Sequence, residues 1–293
     1  MRTITLSVCC LSLGVTSPGW AQGLSPQWEE LTAADFVSAL GASAGTCALP
    51  LGILEKHGPS GPLGTDLLVV RHVATLAARE EYTVIFPPYF VGQIAEARHQ
   101  PGTIAYSSRL QLDMLQETVA EMARNGCRKV ILINGHGGNN SLVTYFGQTQ
   151  LDSPRDYVVY AVNVYEADLP EAARPSRPGV DGHAGEDEIS NVMASRPDLA
   201  HPERAGTESG ADQDRLTLPD GAYTAIWWYA KFPNHYGGDA SGATAARGEA
   251  ATNAMARRLA EEILAIKQDD VGPRLQREFF ERSAQPTSPK KQD

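Results

Sequence analysis

The sequence is poor in basic residues and contains no long apolar run. Lysine and arginine total 25 of 293 residues against 35 aspartates and glutamates, so the formal net charge is -10. Such an acidic surface repels phosphate backbones and anionic lipid, which excludes nucleic-acid and membrane-surface binding as the main task. No stretch reaches the roughly 18 apolar residues of a membrane-spanning helix. With 42% hydrophobic residues, the chain can still bury a large core.

The first 21 residues have the pattern of a secretory signal. Arg2 precedes an apolar run at residues 4–15, a Ser-Pro-Gly break follows, and the small residue Ala21 ends the segment. A buried N-terminal helix or strand is the alternative. We predict a signal peptide at 1–21, one folded domain at 22–282, a disordered tail at 283–293, and a periplasmic or secreted location.

Cysteine is scarce, and its placement matters. Of four cysteines, two lie within the predicted signal, which leaves Cys47 and Cys127. Each begins an apolar run. If those runs are neighbouring parallel strands, the two sulfur atoms lie at a similar position along the strand direction. An exported protein can keep a disulfide. Two interpretations stay open, a disulfide or two separate buried thiols.

Strand-like and helix-like segments alternate along the chain. Short apolar runs predict strands at 47–54, 83–90, 129–134 and 157–164, and helical spacing predicts helices at 65–80, from 107 or 108 to 126, at 139–151 and at 242–267. This order predicts a three-layer α/β/α fold with a mostly parallel central sheet. The proline-rich stretch 166–230 is interpreted as loops and lids over a site.

The first chemical cluster follows the first predicted strand. Glu55 and His57 are two residues apart in extended chain, so their side chains point the same way. A stiff glycine- and proline-rich loop then leads to Asp66 at the start of a helix. Taken alone, a Glu-x-His pair is commonly structural, and an aspartate there is an ordinary helix cap.

Two further clusters complete the set. His136 lies in Asn-Gly-His-Gly-Gly-Asn directly after the strand at 129–134, at the carboxyl end where open α/β sheets bind ligands. No lysine follows in the position that a phosphate-binding loop needs. His183, Glu186 and Glu188 fall together in a third cluster, although an acidic first helical turn would also explain the carboxylates.

Together the clusters offer the donor types of a zinc, manganese or iron(II) site. The predicted ligands are Glu55, His57, Asp66, His136 and one of Glu186 or Glu188. Two divalent ions would bring four positive charges, which three carboxylates and one bridging hydroxide balance. The sequence therefore predicts a site for two divalent metal ions, with zinc, manganese and iron as the candidates.

The three clusters resemble the three motifs of the creatininase (creatinine amidohydrolase) family. The segments EKHGPSGPLGTD, NGHGGN and HAGEDEIS occur in the family's order, and the similarity runs over residues 50–262. The resemblance implies a homo-oligomer, with a hexamer as one candidate, that hydrolyses a cyclic or linear amide bond of a small molecule. It implies that Asp66 bridges the metals, that Glu188 is the fifth ligand, and that His183 transfers a proton. Glu186 is predicted to be a second catalytic residue with His183, one that contacts the metal ligands and does not bind metal itself.

Several positions depart from the family pattern. No tryptophan lies just before His183, where creatininase closes its pocket, so creatinine is a poor candidate substrate. The departing residues are Ser60, Ala97, Ile189 and Ala240. Trp227 and Trp228 are interpreted as core or subunit interface, with a pocket role as the alternative.

The predicted mechanism is attack on an amide carbonyl by a hydroxide that bridges the two metals. A histidine suits the accompanying proton transfer near neutral pH. A metal- or solute-binding protein of the same fold, without turnover, is the rival hypothesis. The remaining histidines, assigned to helix faces or loops, are His72, His99, His201 and His235. Among them, only His235, which lies beside Gly237 and Gly238, is a candidate for lining the pocket.

Overall fold

A parallel sheet organises the computed structural model, which describes residues 23–176 and 181–288. Within these residues the sheet has four strands in the order β2-β1-β3-β4. The strands are β1 (Thr46–Leu51), β2 (Val84–Ile85), β3 (Lys129–Asn134) and β4 (Val158–Asn163). The predicted signal peptide at 1–21 and residues 289–293 of the predicted tail lie outside the described residues.

Helices connect and cover the strands. They are α1 (Ala33–Ala42), α2 (Thr65–Glu80), α3 (Ser108–Arg124), α4 (Asn140–Thr149), α5 (Glu186–Ser195), α6 (Trp227–Lys231), α7 (Ala245–Gln268) and α8 (Val271–Ser283). Short 3-10 turns include Gly137–Asn139 and Ala240–Gly242. Ser107 caps α3 by accepting a hydrogen bond from the backbone N–H of Leu110. No helix among the described residues is long and apolar enough to cross a membrane.

Alternation along the strands builds two separate hydrophobic cores. Ala48, Ile131 and Ile133 face one side of the sheet, where they pack with residues of α2, α5 and α7. Leu49 and Leu132 face the other side, where they pack with α1, α3 and α4. Burial of both faces explains why the strands read as continuous apolar runs. The predicted three-layer α/β/α fold is thereby confirmed.

Two segments differ from the sequence-based expectation. The run predicted as a strand at 83–90 forms a strand only at Val84 and Ile85, with one isolated bridge from Tyr89 to Leu51, because Pro87 and Pro88 between them cannot donate to a ladder. The stretch interpreted as loops and lids at 166–230 contains α5, which buries Ile189 and Val192 against α7. Because the stretch is rich in proline, it was interpreted as loops, whereas α5 belongs to the helical layer that α2 and α7 form on one face of the sheet.

The order of the strands creates a crevice between β1 and β3. The chain leaves β1 toward β2 on one side and returns to β3 on the other, and α2 and α4 then cover opposite faces. Leu51 pairs with Asn134, so both strands end at the same height. Open α/β sheets bind ligands at such a switch point.

The opposite end of these strands carries a disulfide. Cys47 and Cys127 are bonded, with Cα atoms 5.7 Å apart, and both are fully buried. This decides between the two interpretations of the cysteine pair. The bond links the start of β1 to the turn that precedes β3.

Candidate metal centre

The predicted ligands meet at the carboxyl edge of the sheet. Glu55 and His57 follow β1, His136 follows β3, Asp66 lies in the first turn of α2, and Glu188 lies in the first turn of α5. A hydrogen bond from the Gly61 N–H to the His57 carbonyl folds the loop after β1 back on itself. The equal height of β1 and β3 brings residues that are about 80 positions apart into one cluster.

One half of the cluster is formed by Glu55, Asp66 and His136. His136 Nδ1 lies 3.1 Å from Glu55 Oε1 and 2.9 Å from Asp66 Oδ2. His136 Nε2 lies 3.1 Å from the Gln93 carbonyl oxygen, which can only accept a hydrogen bond, so Nε2 carries a proton. Neither carboxylate oxygen has a hydrogen bond in the described structure, although both are buried. Once Nδ1 loses its proton, its lone pair and the two carboxylate oxygens together fit a cation.

Glycine is required beside this histidine. A Cβ atom at Gly138 would lie 2.5 Å from His136 Nε2 and 3.0 Å from the Gln93 carbonyl oxygen. It would therefore break the hydrogen bond that orients the imidazole. The glycine-rich motif around His136 serves the close approach of a backbone carbonyl, which explains its composition.

The other half of the cluster is formed by His57, Asp66 and Glu188. His57 Nδ1 lies 3.2 Å from the Glu55 carbonyl oxygen and donates to it. This leaves Nε2 facing Asp66 Oδ1 at 3.3 Å and Glu188 Oε2 at 3.7 Å. Asp66 thus presents one oxygen to each half, as a bridging carboxylate would.

The electrostatics of the buried cluster show how strongly it attracts positive charge. Burial alone would lower the pKa of His57, but the carboxylates of Asp66, Glu55 and Glu188 outweigh it and raise that pKa to about 10. The pKa of His136 is also raised well above its usual value: burial opposes the rise, but Glu55 and Asp66 outweigh it. Burial would raise the pKa of Glu55, yet His136 and His183 hold it well below the usual range. Protons balance these carboxylates where metal ions would otherwise do so.

His183 stands at the rim of the second half. Its backbone pairs with Gly237 in a short antiparallel bridge. Nε2 lies 3.0 Å from the Lys56 carbonyl oxygen and donates to it. Nδ1 faces the site, 3.6 Å from Glu188 Oε2. The ring nitrogen of His183 that has no backbone partner and faces the cluster is therefore Nδ1.

Glu186 has a different set of partners. Its buried carboxylate forms an ion pair with Arg247 and accepts hydrogen bonds from the Ser176 backbone N–H at 3.0 Å and hydroxyl at 2.7 Å. Glu188, by contrast, reaches the histidines. The structure therefore places Glu188 in the cluster, and Glu186 in a contact that joins α5 to α7.

The sequence offered two further residues only as alternatives for the pocket, and the structure brings both to the cluster. His235 contacts Glu55 Oε2 through Nε2 and is 2% exposed. Trp228 donates its indole N–H to His235 Nδ1 at 2.8 Å and packs edge-on against His183. The nearby Gly237 and Gly238 were the sequence signal for His235, whereas Trp228 was interpreted first as core or subunit interface.

A large open cavity adjoins the cluster on the side of His136. Its volume is about 1130 Å³, and Gly137 and Gly138 form part of its wall. Trp227 and Tyr229, on either side of Trp228 in α6, line it as well. The other residues of the wall include Gln93, Glu96, Arg98, His99, Ser141, Tyr223 and Ile226.

The fold and the cluster define an α/β/α protein with a buried carboxylate–imidazole cluster, spaced to hold metal ions, at the switch point of a parallel sheet. The chain belongs to the creatininase family, because the family model described as creatinine amidohydrolase matches residues 29–263. This confirms the resemblance drawn from the three motifs.

Individual relatives are distant. The chain is 27% identical to creatinine amidohydrolase of Pseudomonas putida over 119 residues, 39% of this chain and 46% of that protein. It is 29% identical to a mycofactocin precursor peptide peptidase of Mycobacterium tuberculosis over 168 residues, 53% and 61% of the two chains. The alignments thus span about half the length of these curated relatives.

Solved structures support the fold. A crystal structure of creatinine amidohydrolase superposes with a TM-score of 0.70 at 22% identity, over 84% of this chain and 99% of that one. Structures of creatininase include a Zn–Zn form and a form with Mn. At this identity they establish a common architecture and leave the substrate open.

Proposed function

We propose that this protein is a metal-dependent amidohydrolase that binds two divalent ions, zinc, manganese or iron, and cleaves an amide C–N bond of a small molecule. The observation that carries the proposal is the geometry of Asp66. One carboxylate oxygen faces His136 Nδ1 and the other faces His57 Nε2. Each half also contains a second carboxylate, Glu55 or Glu188. Family membership and the metals of the creatininase structures support the same conclusion.

The chain's own residues supply the remaining chemistry. Divalent ions at these positions would polarise a carbonyl group and lower the pKa of water. His183 is placed to hold a proton at Nδ1 and give it to the departing nitrogen, because Nε2 is committed to the Lys56 carbonyl. The backbone N–H groups of Gly137 and Gly138 are candidates to stabilise developing negative charge on the substrate oxygen.

The volume and the lining of the cavity indicate the size and polarity of the substrate. The cavity has a volume of about 1130 Å³, slightly above the ~300–1,000 Å³ that is usual for ligand pockets. Trp227 and Tyr229 give it an aromatic wall next to the glycines that flank His136. We therefore propose an amide that carries an apolar or aromatic group, larger than creatinine. Exposed aromatic side chains at this wall suit stacking with such a group.

The test combines metal analysis with turnover. Purified protein loaded with Zn or Mn is assayed against lactams, cyclic ureides, formamides and short peptides, each with and without an aromatic substituent. Glu55→Gln and His136→Ala should lower the bound metal measured by inductively coupled plasma mass spectrometry. His183→Ala should keep the metal and lose most turnover. If the protein binds metal or one of these compounds stoichiometrically but turns none of them over, the rival hypothesis of a metal- or solute-binding protein would be favoured.

We also propose that the protein is exported and assembles as a homo-oligomer. The buried Cys47–Cys127 disulfide supports an oxidising compartment. Fractionation of the native host and light scattering on the purified protein test the two statements separately. Cytoplasmic recovery would contradict the first, and a monomer at micromolar concentration would contradict the second.

A further inference from the structure

His235 occupies a backbone position that is unusual for its residue type. Its φ angle is +54°, in the left-handed region that favours glycine. The side chain is buried beside His183, with ring centroids 4.5 Å apart. A non-glycine residue held in this conformation within a site is a reason to look for a role of its side chain.

The hydrogen bond from Trp228 fixes where His235 carries its proton. An indole N–H can only donate, so His235 Nδ1 must present a lone pair to it. A protonated imidazolium would set two N–H groups against each other, so His235 is neutral. Its single proton is consequently on Nε2, the nitrogen that contacts Glu55 Oε2. His235 therefore donates a hydrogen bond to Glu55.

This polarity separates His235 from the metal ligands. Glu55, His183 and His235 are spaced closely enough to hold a cation by distance alone. However, His183 Nε2 donates to the Lys56 carbonyl and His235 Nε2 carries a proton, so neither of these nitrogens offers a lone pair. Distance suggests a metal site in this group, and hydrogen-bond polarity excludes it.

We propose that Trp228 and His235 form a donor relay that positions Glu55 for metal binding. The relay occupies Oε2 and leaves Oε1 directed at His136 Nδ1 as a single, oriented ligand atom. His235 is thus a positioning residue, and Trp228 sets its tautomer. The inference rests on the proposed metal-dependent function.

Replacement of His235 can separate its side chain from its backbone. His235→Gly removes the hydrogen-bond donor, and glycine adopts the left-handed backbone conformation without steric strain. His235→Gln restores an N–H donor of similar reach without an imidazole ring. Trp228→Phe removes the indole N–H together with part of the ring but keeps an aromatic side chain. Trp28→Phe makes the same change outside the site, where Trp28 packs against Phe36 and Phe86, and is the matched control.

Zinc alone is the probe. Metal-free variants are titrated with Zn²⁺ in competition with a chromophoric chelator, and their folding is checked by thermal denaturation. His235→Gly should weaken the affinity of one zinc by roughly 10- to 100-fold, as loss of an outer partner of a metal ligand typically does. His235→Gln should return close to the wild-type affinity, Trp228→Phe should lie between, and Trp28→Phe should match the wild type. Equal losses for His235→Gly and His235→Gln would overturn the inference, because the ring itself would then be the ligand. Unchanged affinity in His235→Gly would also overturn it.

A second measurement does not depend on metal. Long-range ¹H–¹⁵N NMR of histidine-labelled, metal-free protein reports the tautomer of His235, assigned through the His235→Gln spectrum. We expect an unprotonated Nδ1 and a protonated Nε2, and the opposite tautomer would overturn the relay. Wild-type protein that binds no zinc would refute the proposed function instead, and the two failures are therefore distinguishable.

Discussion

Removal of the disulfide should destabilise the fold by an amount that the chain topology sets. Cys47 and Cys127 are 80 residues apart, so their bond closes a long loop of the unfolded chain. The chain-entropy relation gives about 4.5 kcal/mol at 25 °C for a loop of this length. We expect this loss in the free energy of unfolding of Cys47→Ala/Cys127→Ala.

The same loss can be expressed as a melting temperature. Roughly 260 folded residues at about 2.1 cal/mol/K each give an unfolding entropy near 0.55 kcal/mol/K. A loss of 4.5 kcal/mol then corresponds to a decrease of about 8 °C. Urea and thermal denaturation, followed by circular dichroism, measure both quantities.

The site should be spared, because it lies at the other end of the strands. Cys47 is at the start of β1, whereas Glu55 follows its end, about 20 Å away for a six-residue strand. Zinc content and turnover at 20 °C should therefore equal those of the wild type in the double variant.

The single variants provide the control. Cys47→Ala and Cys127→Ala each break the same cross-link, so both should lose nearly as much stability as the double variant. A loss below about 1 kcal/mol in the double variant would refute the chain-entropy reasoning. Metal loss in parallel with stability would refute the separation of the disulfide from the site.

Three further predictions follow from the site. In metal-free protein the folded-state pKa of His57, about 10, exceeds the unfolded value of about 6.5, so its stabilisation is complete below pH 6.5 and is lost as the pH rises toward 10. Urea denaturation should show a fall of up to about 1.4 kcal/mol per pH unit there, absent in the zinc-loaded protein. Arg247→Met leaves the buried Glu186 carboxylate without its cation and should cost about 3 kcal/mol of stability with unchanged zinc content, whereas metal loss would place Glu186 in the centre. Trp227→Ala should raise KM for aromatic amides more than it lowers kcat, and an equal effect on non-aromatic substrates would contradict the proposed wall.

Much of the architecture was readable from local pattern. Strand β3 and helix α2 fall on the predicted residues, since apolar runs and helical spacing are properties of adjacent positions. The proline pair truncated β2, and α5 was hidden in a stretch whose prolines suggested loops. The first outcome has a local cause, the two prolines, whereas α5 depends on packing against α7, which is distant in sequence.

The sequence by itself determined the family, the sheet, and the donor residues, because each motif is a short contiguous run whose glycines, histidines and carboxylates have a fixed spacing. The tertiary structure decided how the donors are used. It assigned Glu188 to the cluster and Glu186 to Arg247, and it joined the two cysteines. It also brought His235 to Glu55 across 180 positions. The physical reason is that the protonated nitrogen of each histidine is set by carbonyl and indole partners from other elements, which spacing along the chain does not encode.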